Sequence, residues 1–249
     1  MCKNGYILQA KELSKNFGAL KAVNQVNLEI GKGIHSIIGP NGAGKTTLFN
    51  LLTGFLQPST GKIFFLGKDI TGLPPYEISR LGIARSFQIT SIFPELSVFE
   101  NVRISAQSRS RSSANFLNSF KGLEDANQNA ERILKDLGLL EFRDAKAKNL
   151  SYGLQRSLDI AISLAIRPKL ILLDEPTSGM DKGDTKKIIK IISVISRQIP
   201  VVLIEHNIDV VLSISNRITV LYQGSVLAEG SPIEIQQNEK VQEAYLGGY

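Results

Sequence analysis

The stretch Gly39-Pro40-Asn41-Gly42-Ala43-Gly44-Lys45-Thr46-Thr47 decides how the rest of this chain is read. Ahead of it Ile34-His35-Ser36-Ile37-Ile38 reads as a buried strand, and behind it Thr46-Thr47-Leu48-Phe49-Asn50-Leu51-Leu52 reads as an apolar-faced helix. Strand, glycine-rich loop and helix in that order make a phosphate cradle. Glycines let backbone N–H groups turn inward around the β- and γ-phosphates, and the N-terminus of the helix adds its own N–H groups and dipole. Lys45 is expected to reach the outer phosphates, and the Thr46 hydroxyl a Mg²⁺. The expected ligand is therefore a nucleoside triphosphate, held by residues 39–47.

Working outward, 249 residues can bury the core of one large domain, with or without a subdomain, and 43% hydrophobic content fits a globular fold. No apolar run reaches the roughly 18 to 20 residues of a membrane span, because Arg167-Pro168-Lys169 and Arg197-Gln198-Ile199-Pro200 interrupt the best candidates. Met1-Cys2-Lys3-Asn4-Gly5 lacks the apolar stretch of a signal peptide, so the chain is expected to stay in the cytoplasm. The lone Cys2 cannot form an internal disulfide or a cysteine metal site. A net charge of +6 suits nucleotides, anionic lipid surfaces or nucleic acid alike and selects none of them. The densest basic cluster, Arg103 to Arg111, is rich in serine and reads as a flexible loop rather than a binding groove.

Short apolar strands alternate with amphipathic helices, which predicts an α/β fold with a mainly parallel sheet covered by helices. Ile63 to Leu66, Leu170 to Leu173, Val201 to Ile204 and Arg217 to Tyr222 are the candidate strands. Tyr6 to Ile30 reads instead as meandering strands, with Val26, Leu28 and Ile30 alternating toward one face, and predicts an antiparallel flank. Between Ser97 and Ile166 only helical periodicity appears, in Ala126 to Leu137 and Gln155 to Ile166. A single domain over 1–249 with a helical insert at about 89–166 is expected. Ala106 to Asn129 is polar and is expected to be the least regular part of that insert. The stripe Ile188, Ile191, Ile192, Ile195 and Ile199 is expected to pack on the sheet.

A second constellation follows the strand Leu170-Ile171-Leu172-Leu173, which ends in Asp174-Glu175-Pro176. Two carboxylates at the edge of a buried strand need a compensating cation or a cleft, because an unpaired buried carboxylate costs several kcal/mol. Asp174 is expected to hold Mg²⁺ through water, and Glu175 to face an attacking water.

With these residues in place, the chain resembles the ATP-binding subunits of ABC transporters over almost its whole length. Leu150-Ser151-Tyr152-Gly153-Leu154-Gln155 stands where that family carries its Leu-Ser-Gly-Gly-Gln signature. Gln88 follows the apolar run Ile83 to Phe87 as the Q-loop glutamine does, and Ser178-Gly179-Met180-Asp181 matches the D-loop. Glu205-His206 closes a strand as the switch histidine does, and Phe17 has the spacing of the adenine-stacking aromatic. The resemblance implies a P-loop NTPase fold of ABC type, with ATP and Mg²⁺ as cofactors. It further implies that His206 holds the γ-phosphate and water, that Gln88 touches the metal and links the site to the transport subunit, and that Asp181 communicates across a dimer.

Ser151 begins a helix running through Leu158, Ala161 and Ala165, so its hydroxyl and the following N–H groups form an anion site. By resemblance Ser151, Tyr152 and Gly153 receive the γ-phosphate bound by the opposite subunit, so that ATP joins two nucleotide-binding domains and hydrolysis releases them. Tyr152 and Leu154 depart from the commonest signature. The Tyr-Gly form resembles the branched-chain amino-acid uptake subgroup, whereas Leu154 removes an amide that could contact the opposite nucleotide.

The implied activity is ATP hydrolysis powering transport, at the cytoplasmic face of the cell membrane. The implied partners are a second nucleotide-binding subunit, identical or not, integral membrane permease subunits and, indirectly, a periplasmic or extracellular solute-binding protein. Nucleic acid is not an expected partner. Arg85-Ser86-Phe87-Gln88, Ile204-Glu205-His206 and Ala244-Tyr245-Leu246-Gly247 look like bacterial branched-chain amino-acid importers. Similar subunits serve urea uptake and lipopolysaccharide export, and a soluble ABC ATPase or a phosphotransferase are the rival classes. The first rival lacks support in tandem domains, coiled coils or zinc cysteines, and the second has no need of Leu150 to Gln155 or Asp181.

Overall fold

Runs of four or five residues that are apolar on both faces cannot sit at a surface, and here they become the centre of a sheet. The computed structural model describes residues 5–86, 92–108 and 116–246. Strands β1 (Leu8–Phe17) and β2 (Leu20–Ile30) open the chain, followed by β3 (Ile34–Ile38) and helix α1 (Lys45–Leu52). Next come β4 (Thr60–Phe65), β5 (Lys68–Asp69), α2 (Pro75–Leu81) and β6 (Ile83–Arg85). Helices α3 (Val98–Gln107), α4 (Phe116–Asp136) and α5 (Tyr152–Ala165) precede β7 (Leu170–Asp174). The chain continues through α6 (Lys182–Ser196), β8 (Val201–Ile204), α7 (Ile208–Ile214), β9 (Arg217–Tyr222) and β10 (Ser225–Gly230). It closes with α8 (Pro232–Gln236) and α9 (Glu239–Leu246).

Two sheets form: an antiparallel one in the order β2-β1-β4-β5, and a six-stranded one in the order β10-β9-β3-β8-β7-β6. All neighbours in the second sheet are parallel except β9 and β10. Because side chains alternate across a strand, β7 sends Leu170 and Leu172 into one core and Ile171 and Leu173 into the other. The first core joins the antiparallel sheet to α1 and to one face of the parallel sheet. The second packs α3 to α6 on the opposite face. This is the α/β P-loop fold with an antiparallel flank that the sequence implies.

The alternation of Val26, Leu28 and Ile30 is observed, all three being buried on β2. Val23 is buried as well, and its offset of three from Val26 reflects an irregular register with β1 and the left-handed Gln25 (φ 50°) between them. The Ile188 stripe packs as expected, with Ile188, Ile192 and Ile195 buried and Ile191 and Ile199 against them.

Two local expectations are corrected. The strand at Ile63 to Leu66 is not part of the parallel sheet: β4 pairs antiparallel with β1, and Leu66 leaves it with φ 51° to start the tight turn into β5. Arg103 lies on α3 rather than in a loop. Of the polar run from Ala106 to Asn129, residues 109–115 lie outside the described residues; from Phe116 onward it is helical, with Ala126, Ala130, Ile133 and Leu134 making one buried face beneath the polar residues. Asn129 is buried in that face, and its Nδ2 donates to the Ala165 carbonyl at 3.0 Å. No helix among the described residues is long and apolar enough to cross a membrane.

Candidate nucleotide site

Leu48, Phe49, Leu51 and Leu52, all 0–1% exposed, lock α1 against the core and thereby fix where its N-terminus points. Gly44 caps that helix in the left-handed region (φ 98°), and no side chain accepts from its first turn. The leading N–H groups of α1 therefore have no side-chain acceptor, which is the condition for gripping an anion. A Cβ at Gly44 would collide with the Ala22 carbonyl, and one at Gly39 (φ 153°) with the Leu221 carbonyl. Only glycine allows β2 and β9 to approach the loop so closely. Behind the loop Gly224 N–H donates to the Ala43 carbonyl at 3.1 Å, and Asn24 N–H to the Gly224 carbonyl at 2.8 Å.

The cleft above the loop, of about 550 Å³, is lined by residues 41–47, Phe17, Leu20, Glu175, His206 and Gln223 among others. It unites residues far apart in sequence: the loop, the end of β7, the end of β8 and the β1–β2 turn. Phe17 stands at its mouth, 47% exposed, with the Lys15 ammonium 5.3 Å from its ring centre. Its exposed face suits stacking on a planar base.

Lys45 Nζ donates to the Gly39 carbonyl at 2.6 Å and the Pro40 carbonyl at 2.9 Å. Burial pushes the Lys45 ammonium below its ordinary pKa, while Glu175 and Asp174 pull it upward. Asp174, at the end of β7, is raised by burial against the opposing pull of Arg85. The cation that the buried carboxylate demanded is thus present within the protein: Arg85 Nη2 meets Asp174 Oδ2 at 2.9 Å, with both side chains under a tenth exposed. Arg85 also donates to Asn50 Oδ1 at 2.6 Å and Thr53 Oγ1 at 3.2 Å, tying β6 to α1.

Glu175 follows with a left-handed backbone (φ 48°), an unfavourable conformation for a residue with a Cβ. It is held there by its N–H on the Ile204 carbonyl at 2.9 Å and by Arg156 Nη2 on its own carbonyl at 3.2 Å. The twist swings its carboxylate out of the sheet toward His206, whose Nε2 is hydrogen-bonded to Glu175 Oε1. Glu205 anchors the other side of this pair. Its Oε1 accepts from Thr177 N–H at 2.9 Å and Thr177 Oγ1 at 2.7 Å, and its Oε2 from His206 N–H at 3.2 Å.

Ser151, Tyr152, Gly153 and Asp181 do not line this cleft. Ser151 caps α5, accepting from Leu154 N–H at 3.5 Å. Asp181 caps α6, accepting from Gly183 and Asp184 N–H at 2.7 and 2.8 Å, and these amides hold its carboxyl below the usual range. Tyr152 supplies what a glycine could not: its hydroxyl donates to the Ser178 carbonyl at 3.2 Å, tying the start of α5 to the segment before α6. Leu154 packs against the helical core. Gln88 lies outside the described residues, as do Cys2 and Gly247.

Arg85, Arg156, Thr177 and Glu205 were not assigned by sequence reading. A basic residue three positions before Gln88, and an acid directly before His206, were the only local signals. Their partners lie on other strands.

Comparison with known proteins gives a consistent result. Residues 23–178 match the ABC transporter family model, and residues 225–249 match that of the branched-chain amino acid ATP-binding cassette transporter. The high-affinity branched-chain amino acid transport ATP-binding protein BraF of Pseudomonas aeruginosa is 42% identical, covering 97% of this chain and 98% of its own. LivG of Escherichia coli, with the same description, is 40% identical over the same shares. Among solved structures, an ATP-binding cassette of an ABC transporter in its ADP conformation superposes with a TM-score of 0.86 at 33% identity, covering 97% of this chain and 99% of that one. A dimeric cassette in a post-hydrolysis state, bound to ADP and phosphate, gives a TM-score of 0.76 at 28% identity, with 90% and 98% covered.

Proposed function

The chain belongs to the ABC transporter ATP-binding family and is an ATPase subunit coupled to transport, and we propose that its transporter imports branched-chain amino acids. The substrate named for both relatives, together with the family match at the C-terminus, supports this choice over urea uptake or lipopolysaccharide export. The chain would work as one of a pair of nucleotide-binding subunits, beneath integral permease subunits at the cytoplasmic face of the membrane. A periplasmic or extracellular binding protein would deliver the solute. Residues 89–166 would form the helical subdomain of the single 1–249 domain, with Gln88 linking it to the nucleotide.

The contact of Glu175 with His206 across the cleft from Lys45 carries the mechanistic reading. Phe17 would stack on adenine, and the amides of residues 39–47 would surround the phosphates. Glu175 would take a proton from the attacking water while His206 holds the carboxylate and the γ-phosphate in register. Lys45 would exchange its two backbone carbonyls for phosphate oxygens, a stronger charge-assisted partner. Thr46 and Asp174, with Gln88, would be the donors for Mg²⁺. No group of three or more His, Cys, Asp or Glu side chains that could hold a metal ion forms among the described residues, and one hydroxyl with one carboxylate suits a hard cation that keeps water and phosphate oxygens. When bound, Mg²⁺ neutralises charge developing on the phosphoryl oxygens.

The test is reconstitution with the permease subunits and binding protein in vesicles, reading ATPase rate. Leucine, isoleucine or valine is expected to stimulate hydrolysis, and Glu175→Gln to bind ATP yet turn it over roughly 10²–10⁴-fold more slowly. Stimulation by urea alone would reassign the substrate, and full turnover by the variant would remove Glu175 from its role.

A further inference from the structure

Glu175 keeps its place against its own backbone preference. A residue with a Cβ at φ 48° holds that conformation only where its surroundings fix the peptides on both sides of it. The peptide before Glu175 is fixed by the Ile204 carbonyl, which accepts the Glu175 N–H at 2.9 Å. The peptide after it is fixed at its carbonyl, which accepts from the Ser178 N–H at 3.2 Å and from Arg156 Nη2 at 3.2 Å. Arg156 comes from α5 rather than from the sheet, and at 3% exposure it is shielded from water. Its guanidinium lies 6.0 Å from the centre of the Tyr152 ring, whose hydroxyl donates to the Ser178 carbonyl at 3.2 Å. The start of α5 thus grips both ends of the turn at 175–178. That end of the helix is itself wedged: a Cβ on Gly153 would stand 2.3 Å from Asp184 Oδ2 of α6, and Ser157 Oγ donates to the Gly153 carbonyl at 3.0 Å.

We propose that Arg156 is a positioning residue for ATP hydrolysis: by holding the Glu175 carbonyl it fixes the left-handed backbone that aims the Glu175 carboxylate at the attacking water. A charged, planar donor makes a stronger and more directional bond to a carbonyl than a neutral amide does. Arg156 does not line the nucleotide cleft, so its effect on turnover passes through Glu175. If the Glu175 peptide rotated, the carboxylate would leave its contact with His206 while residues 39–47 stayed in place. Chemistry would then slow and ATP binding would persist. Because Arg156 belongs to the helix that Ser151 opens, the element expected to meet the second subunit also sets the aim of this chain's own base.

The proposal rests on Glu175 as the general base, and the test separates the two. Arg156→Met keeps an unbranched buried stem and removes the donor. Steady-state hydrolysis of ATP with Mg²⁺ is measured on the full chain for Arg156→Met, Glu175→Gln and the double variant, with urea unfolding to establish that each is folded. Arg156→Met is expected to lower kcat about ten- to a hundredfold, with KM for ATP changed by less than about threefold. In the Glu175→Gln background the same substitution should change kcat by less than about twofold, since a base already removed cannot be misplaced. Arg156→Lys, which can donate to the carbonyl again but with a shorter reach, should fall between the native chain and Arg156→Met. It takes the place of Arg156→Met in the same comparison if that variant does not fold. Native kcat in the Arg156 variants would overturn the proposal, and so would an equal loss in both backgrounds, which marks general damage to the fold. Full turnover by Glu175→Gln alone would instead strike Glu175 as the base, and the proposal with it.

Discussion

The Arg85–Asp174 pair shows what one residue can decide. Asp174 closes a strand buried on every side, and burial pushes its carboxyl upward while Arg85 pulls it down. Arg85 reaches it from the neighbouring strand and supplies the charge that permits a carboxylate there. Removing one member of a buried pair strands the other, at a cost of about 3–5 kcal/mol. Arg85→Met should therefore lower unfolding stability in urea by about that much, and Asp174→Asn added to it should restore a large part. A single variant as stable as the native chain would show that solvent, rather than Arg85, compensates Asp174.

Among elements, α5 has two ends of different consequence. Its body is anchored by Leu158, Ile160, Ala161 and Ala165, all buried, so its N-terminus is presented rigidly. Ser151 and its neighbours do not line the chain's own cleft, while Tyr152 and Arg156 tie that end to Ser178 and to the Glu175 carbonyl. An anion received at Ser151 would thus act on the backbone that carries Glu175. A carboxylate placed there repels the incoming γ-phosphate, so Ser151→Glu should abolish ATP-driven pairing in Glu175→Gln, read by light scattering with ATP. Equal pairing with and without the added charge would refute phosphate binding across the pair.

For the whole molecule, a polar chain crosses the sheet from β3 through β9 to β10. His35 on β3 contacts Thr219 Oγ1 on β9 at 2.7 Å, and Thr219 passes its own hydrogen to Glu229 Oε2 on β10 at 3.0 Å. With that hydrogen committed, Nε2 of His35 carries the proton it donates. Glu229 also meets Arg217 Nε at 2.5 Å. Burial, the largest influence, lowers His35 from 6.5 to about 4, with Glu229 raising it and Arg217 lowering it. Below pH 6.5 the unfolded chain takes up a proton that the folded one refuses, so stability falls as pH drops toward 4 and levels off below it. The whole shift corresponds to about 3 kcal/mol. Urea unfolding at pH 7 and 4.5 should show the native chain losing most of that amount relative to His35→Asn. Parallel pH profiles for the two proteins would show that His35 is not the group responsible.

The phosphate loop, the acidic end of β7 and the strands β3, β7, β8 and β9 were legible in the sequence. Each depends on residues close together in the chain, where spacing and side-chain type suffice to fix local conformation. The strand read at Ile63 failed as a member of the parallel sheet because an apolar alternation does not say which sheet it joins. The helix from Phe116 onward went unread because its polar composition hides a narrow buried face. Only the tertiary structure could show that Arg85 compensates Asp174 and that Glu205 anchors Thr177 and His206. Those partners are brought together by strand order and register, and a slip of one residue would send each side chain to the opposite face.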